Sequence, residues 1–287
     1  MRNFLHATSL LFLISMSSCQ SQPAQHNYSH STHFPYDISS SKEYSMPKSL
    51  LEISGMSFIP GNDAQVYAIQ DEDGTLFTYD LAQDKIVAEA DFGKKGDYEE
   101  ITTDGKYFYV LRSDGTIYSF ATAKSPEKDK VKQHKDLLPK GEYESMAYDS
   151  DSHSLFVLCK ECIVDKKGKS LSGYRIQIES NGELSVAGNF SLANDALQQL
   201  DKNLKKTPKP SAMARRQQGK EWYILSSIDL AIIVTDDAFH PKEVIPLKRK
   251  DFAQPEGICF DSAGNLYISS EAGKTKHGKI YAFKFLR

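Results

Sequence analysis

Apolar and polar positions alternate with a period of two along most of this chain, in short runs separated by acidic or glycine-bearing turns. The clearest runs are Val66-Tyr67-Ala68-Ile69, Tyr107-Phe108-Tyr109-Val110-Leu111, Leu155-Phe156-Val157-Leu158, Trp222-Tyr223-Ile224-Leu225 and Leu266-Tyr267-Ile268-Ser269. β-branched and aromatic residues in runs of this length, bounded by turn residues, predict buried strands. A further strand follows a turn signal in several places, as in Asp73-Gly74 through Tyr79, Asp114-Gly115 through Phe120, and Lys279 through Phe285.

A three-residue motif precedes each run: Ser54-Gly55-Met56, Glu99-Glu100-Ile101, Glu144-Ser145-Met146, Ser211-Ala212-Met213 and Glu256-Gly257-Ile258. Measured at its second residue, the motif returns after 45, 45, 67 and 45 residues. A period of about 40–50 residues built from short strands is the signature of propeller blades. In the long interval, Ala196, Leu197, Leu200 and Leu204 change to helical spacing, which predicts an inserted helix within residues 193–206. The last cassette stops after its third strand, so the segment from Tyr36 to Met46 is the natural donor of the missing one. The expected fold is all-β, a five-bladed β-propeller closed by an N-terminal strand, with one inserted helix. The alternative is six blades, the sixth hidden in the long interval.

The first 19 residues read differently from the rest. Arg2 supplies a positive charge, Leu10 to Ile14 a short apolar stretch, and Ser15-Met16-Ser17-Ser18 lead to Cys19. This pattern resembles a bacterial lipoprotein signal, which implies lipidation of Cys19 after cleavage. The expected organisation is a signal peptide over 1–19, a flexible tether over 20–35 and one propeller domain over 36–287. It implies a protein anchored to the membrane through lipid on Cys19, in the bacterial cell envelope; Gln20 fits sorting to the outer membrane. A net charge of −3 with mixed signs argues against a nucleic-acid partner, and a monomer is expected. Apart from Cys19 the chain has Cys159, Cys162 and Cys259. Cys159-Lys160-Glu161-Cys162 suits a local disulfide or, less readily, a redox pair, and no second such pair exists for zinc.

Leu51 through Phe58, Asp97 through Ile101 and Glu256-Gly257-Ile258, each followed by a strand and an acidic turn, resemble the SdiA-regulated family of secreted bacterial propellers. Pro255 through Asp261 with Gly264 through Ile268 also resemble NHL and SMP-30-type propellers. The resemblance spans Tyr36 to Arg287 and implies a propeller in the envelope, with no settled activity attached.

Two acidic series fall on the repeat. Glu99, Glu144 and Glu256 open the innermost strands, with Ser54 and Ser211 at the equivalent places; Glu72, Asp114, Glu161, Asp229 and Glu271 stand at or just past the ends of the second strands. Adjacent strands of a blade are antiparallel, so both series are expected on one face. Converging carboxylates repel unless a cation neutralises them, and hard oxygen donors suit Ca2+. Glu99, Glu144 and Glu256 are therefore the candidate metal ligands, with Ca2+ the candidate cofactor. Glu72, Glu161, Asp229, Glu271 and Arg215 are the candidate ligand-binding groups; Arg215 comes from a basic stretch that also holds Lys202, Lys205, Lys206, Lys209 and Arg216. Asp73-Gly74 and Asp114-Gly115 equally suit plain turns. No nucleophile elbow, zinc-protease motif or phosphate loop occurs, and His134, His153, His240 and His277 read as solvated loop residues. The expected function is capture of a small molecule or an envelope protein on an acidic face; the alternative is a metal-dependent hydrolase of phytase-like or lactonase-like type.

Overall fold

The alternating runs fold into five four-stranded antiparallel sheets. The computed structural model describes residues 34–123, 126–165 and 168–286. Strand β1 (Lys42–Ser45) precedes blade 1, made of β2 (Ile53–Ile59), β3 (Asn62–Gln70), β4 (Thr75–Asp80) and β5 (Lys85–Asp91). Blade 2 comprises β6 (Tyr98–Thr103), β7 (Tyr107–Arg112), β8 (Ile117–Ala121) and β9 (Lys132–His134), and blade 3 comprises β10 (Gly141–Asp149), β11 (Ser154–Cys162), β12 (Ser170–Ile178) and β13 (Leu184–Ala193). Blade 4 follows with β14 (Ala212–Arg216), β15 (Glu221–Ser226), β16 (Ala231–Thr235) and β17 (Pro241–Pro246). Blade 5 holds β18 (Gln254–Phe260), β19 (Leu266–Glu271) and β20 (Lys279–Phe283), and its fourth strand is β1.

The closure follows from the edge that β20 would otherwise expose. β1 pairs antiparallel with it from Lys42 opposite Ala282 to Ser45 opposite Lys279. Tyr44 is buried at that seam, edge-on to Tyr79 of blade 1. A blade is covered by a neighbour on each face, so its middle strands lose the polar alternation of a half-exposed strand; β15 and β16 are buried along their whole length. The core therefore lies between blades. Phe92, Tyr98, Tyr118 and Phe120 pack together in one such layer, and Trp222 stacks on Phe239 against Phe156 in another.

The long interval contains no sixth sheet among the described residues. It is taken up by strands of nine or ten residues in blade 3 and by the insertion after it. Helix α1 (Asn194–Leu200) is half the length that the leucine spacing predicted. Leu197 is buried from the helix and Leu204 from the turn beyond it. Asp201 turns its side chain onto the Asn203 N–H at 2.8 Å, and Pro208 and Pro210 keep the return extended.

Cys159 and Cys162 form a disulfide at the end of β11, and Cys259 is a buried free thiol. His134 departs from expectation: it is buried in β9 with Nε2 2.9 Å from Ser119 Oγ, because its strand packs inward where a loop had been expected. The calls on residues 1–19, including Cys19, and on the tether up to residue 33 lie outside the described residues.

Candidate acidic cavity

The motif's first residue owes its orientation to a β-bulge. In blade 2, Tyr98 faces Arg112 and Glu100 faces Leu111, leaving Glu99 as an extra residue on β6. Glu144 stands in the same way between Tyr143 and Ser145 of β10, and Glu256 between Pro255 and Gly257 of β18. The register also shifts across Ser54 in β2. A bulge bends its strand and re-aims a side chain out of the sheet pattern, and here it does so at the same point of the repeat in blades 1, 2, 3 and 5, while β14 of blade 4 pairs without a shift.

The re-aimed side chains line one cavity of about 540 Å³ at the end of the propeller where the innermost strands begin. Ser54, Glu99, Glu144, Ser211 and Glu256 are all on its wall, together with Asp71, Asp97 and Glu271. The basic members are Lys160, Lys205, Lys209 and Arg249. Blades 1, 2, 3 and 5 thus contribute the carboxylates, while the insertion and the turn before blade 5 contribute Lys205, Lys209 and Arg249. The size is that of a small-molecule site.

Burial sets the electrostatics. It pushes the Glu99 carboxyl up to about 9, with Glu144 and Asp97 adding repulsion against the pull of Lys160. Glu256 rises to about 8 through burial and then Glu271 and Glu144; Glu271 rises to about 7 through burial and then Asp71 and Glu52. Asp71 reaches about 6 by burial and its neighbours Glu52 and Glu72. Glu144 reaches about 7 because burial outweighs its bond from Lys160 Nζ. Lys160 also pairs with Glu142 at 3.0 Å, so the cation most enclosed in the wall is committed to blade 3. Neutral pH therefore finds several of these groups between protonated and charged.

The three candidate metal ligands, Glu99, Glu144 and Glu256, are brought to one wall. Among the described residues, however, no three carboxylates place oxygens within 4.8 Å of one another; the group that does so is Cys159, Cys162 and Asp165, whose thiols are already joined. The donor chemistry suits a hard cation, and the spacing suits a hydrated ion or an ammonium group better than a bare ion.

The second series divides. Glu271 lines the cavity and accepts a hydrogen bond from Gln254 Nε2 at 2.9 Å. In blades 1 and 3 the wall residues are Asp71 and Lys160, one place before Glu72 and Glu161, and a one-residue step turns a strand side chain to the other side. Glu72 is exposed, 3.9 Å from Lys95, and Glu161 is exposed, 2.5 Å from Lys209. Asp229 accepts the Lys205 N–H at 2.9 Å and the Ser226 hydroxyl at 2.7 Å, which fixes the insertion's return; Ser227 takes the wall position. Asp114 pairs with Arg112 and accepts the Thr116 N–H, as its turn reading allowed. Arg215 is not on the wall. It lies near the other end of β14, buried over the Trp222 ring, 3.4 Å from Asp149 and 2.5 Å from Asp237. Sequence reasoning also missed Asp71, Asp97 and Lys160. The signal for Lys160 was its place between two cysteines, whose bridge ties the strand end that carries it.

Solved structures share the fold. Myxococcus xanthus glutaminyl cyclase superposes with a TM-score of 0.59 at 14% identity, covering 85% of this chain and 94% of that one. A luciferin-regenerating enzyme superposes with a TM-score of 0.50 at 11% identity, covering 85% and 95%. At such identities the likeness shows the propeller and carries no activity across. No curated protein sequence matches the chain significantly. The family model described as SdiA-regulated matches residues 42–274, and the chain belongs to that family.

Proposed function

We propose that this protein is a binding module of the bacterial envelope, held by lipid on Cys19, that captures a ligand by its cationic group in the acidic cavity. The observation that carries this reading is the bulge at each of Glu99, Glu144 and Glu256, which aims side chains from three blades into one space. Hydrated Ca2+ and a primary ammonium group both match the donors. Lys205 and Arg249, on the same wall and without an ion pair among the described residues, suit an anionic group on the same ligand.

A second reading has its own support. Glu99 at about 9 and Glu144 at about 7 are neighbouring carboxyls with separated protonation, as an acid and a base of a hydrolase require. One screen separates the two: phosphate esters and lactones are offered with Ca2+, Mg2+ or Mn2+, and turnover is read beside the melting shift that Ca2+ or a simple diamine produces. A shift without turnover is expected. Turnover abolished by Glu99→Gln would establish the hydrolase, and neither shift nor turnover would remove both readings.

A further inference from the structure

Blades 2 and 3 enclose a second cavity, of about 410 Å³, whose size also suits a small molecule. Innermost strands begin at the acidic end, so second strands begin at the other; Tyr107 opens β7, and this cavity lies at that other end. β7 contributes Tyr107 and Tyr109, β8 contributes Ser119 and Ala121, and the turn between β12 and β13 contributes Asn181 and Gly182. The register explains this grouping. Tyr109 stands opposite Ser119 and Tyr107 opposite Ala121, so these side chains share the face of blade 2 that meets blade 3.

Ser119 continues into a chain of polar groups. Its Oγ lies 2.9 Å from His134 Nε2. In β9, Lys132 stands opposite Ser119 and His134 opposite Ile117, which puts His134 diagonal to Ser119 on the same face. His134 Nδ1 faces Glu183 Oε2 at 3.9 Å, and Glu183 Oε1 receives Lys132 Nζ at 2.8 Å. The Glu183 N–H bonds Asn181 Oδ1 at 3.0 Å, which fixes the turn that carries the carboxylate. Ser119 and His134 are only 5% and 7% exposed, yet Ser119 is on the cavity wall. Burial holds the imidazole below its ordinary pKa, with Glu183 pulling it up and Lys132 pushing it down, so it is neutral at pH 7. With Nδ1–H turned to the carboxylate, Nε2 is the acceptor for the Ser119 hydroxyl.

A hydroxyl on a cavity wall, an imidazole bonded to it and a carboxylate facing the imidazole are the parts of an activated serine nucleophile. We propose that Ser119, His134 and Glu183 form a second, metal-independent site that hydrolyses small open-chain carboxylic esters with an apolar acyl group. Ser119 Oγ bonds to the ester carbon as its proton passes to His134 Nε2; the bond from that carbon to the alkoxide oxygen then breaks, and the alcohol leaves with the proton. Water next gives a proton to Nε2 and its hydroxide to the acyl carbon, and Ser119 Oγ departs with that proton as the carboxylic acid forms. Glu183 is a positioning residue, which holds the imidazole tautomer and stabilises its charged form. Lys132, also on the wall, is a positive group available to the oxyanion, and Tyr107, Tyr109 and Ala121 suit the apolar acyl group. The site shares no residue with the acidic cavity and does not rest on the function proposed for it.

The test uses a fluorophosphonate, which reacts with activated serines, with the labelled residue mapped by mass spectrometry; turnover of p-nitrophenyl butyrate in EDTA is read beside it. Wild type and Glu99→Gln/Glu256→Gln should both take up about one label per chain, on Ser119. Ser119→Ala should lose the label and the turnover, and His134→Gln should slow both by about 100-fold or more. Glu183→Gln should lower kcat with KM unchanged and move the pH midpoint of turnover downward, because the imidazole loses the charge that raises its pKa; an unmoved midpoint removes Glu183 from the site. Ser119→Ala deletes a single oxygen and keeps the test open if His134→Gln does not fold. No label on Ser119 in wild type, or equal labelling in a folded His134→Gln, overturns the proposal and leaves Ser119 and His134 a packing pair. Turnover that survives Ser119→Ala but is lost in Glu99→Gln/Glu256→Gln also overturns it and assigns the chemistry to the acidic cavity.

Discussion

The two ends of the innermost strands carry charge in opposite ways. At the far end, Arg215 lies between Asp149 and Asp237 over Trp222, and Arg216 meets Glu221, which also receives Lys242. Each of these charges has an opposite neighbour, and Glu221 is held below the usual glutamate range because Lys242 and Arg216 outweigh its burial. At the cavity end, Glu99, Glu256, Glu271 and Asp71 are all raised, and the enclosed cation, Lys160, is committed to Glu144 and Glu142. Paired charge serves to hold blades together. Like charge gathered in a cavity raises the energy of the empty protein, and a bound cation lowers it again.

The contrast breaks most visibly at Arg215. Truncation to Ala strands Asp149 in a buried place and is expected to cost about 3 kcal/mol, lowering the melting temperature by roughly 6–12 °C. Cavity binding should be unaltered, as thermal melting beside a titration will show. Gly55→Ala comes next, because the added Cβ has no room beside the Glu100 backbone; a loss of about 1–3 kcal/mol in urea unfolding is expected.

The pH dependence sharpens the other half of the comparison. A carboxyl whose folded pKa lies above its unfolded value binds more protons when folded, so stability falls as pH rises between the two values. With Glu99 at about 9, Glu256 at about 8 and Glu144 and Glu271 at about 7, the cation-free protein should melt progressively lower from pH 5 to pH 9. Glu99→Gln should flatten the upper part of that slope. A slope unchanged in the variant would mean that Glu99 is not held as its surroundings imply. The smallest effect is expected from Cys159→Ser/Cys162→Ser, since a four-residue loop stabilises by about 2 kcal/mol at most. Any loss of cavity affinity there reports how far the bridge positions Lys160.

What the sequence made legible follows from the repeat. Equivalent positions of a repeat share equivalent geometry, so Glu99, Glu144 and Glu256 could be placed on one wall before any coordinates, and the missing last strand foretold the closure by β1. The failures came where one residue of register decides direction. Glu72 and Glu161 point away while Asp71 and Lys160 point in, and the bulges that shift the count leave no mark in composition. Arg215 was drawn toward the cavity by its closeness to Met213, but two further residues of strand carry it toward the opposite end.

The most direct test of the acidic cavity as the binding site is a calorimetric titration of Ca2+, and separately of putrescine, into wild type and Glu99→Gln/Glu256→Gln at pH 8, with Arg215→Lys as a folded control. The predicted result is saturable uptake of at least one probe by wild type and the control, reduced at least tenfold in the double variant. Equal uptake by all three proteins, or none by wild type, would contradict it.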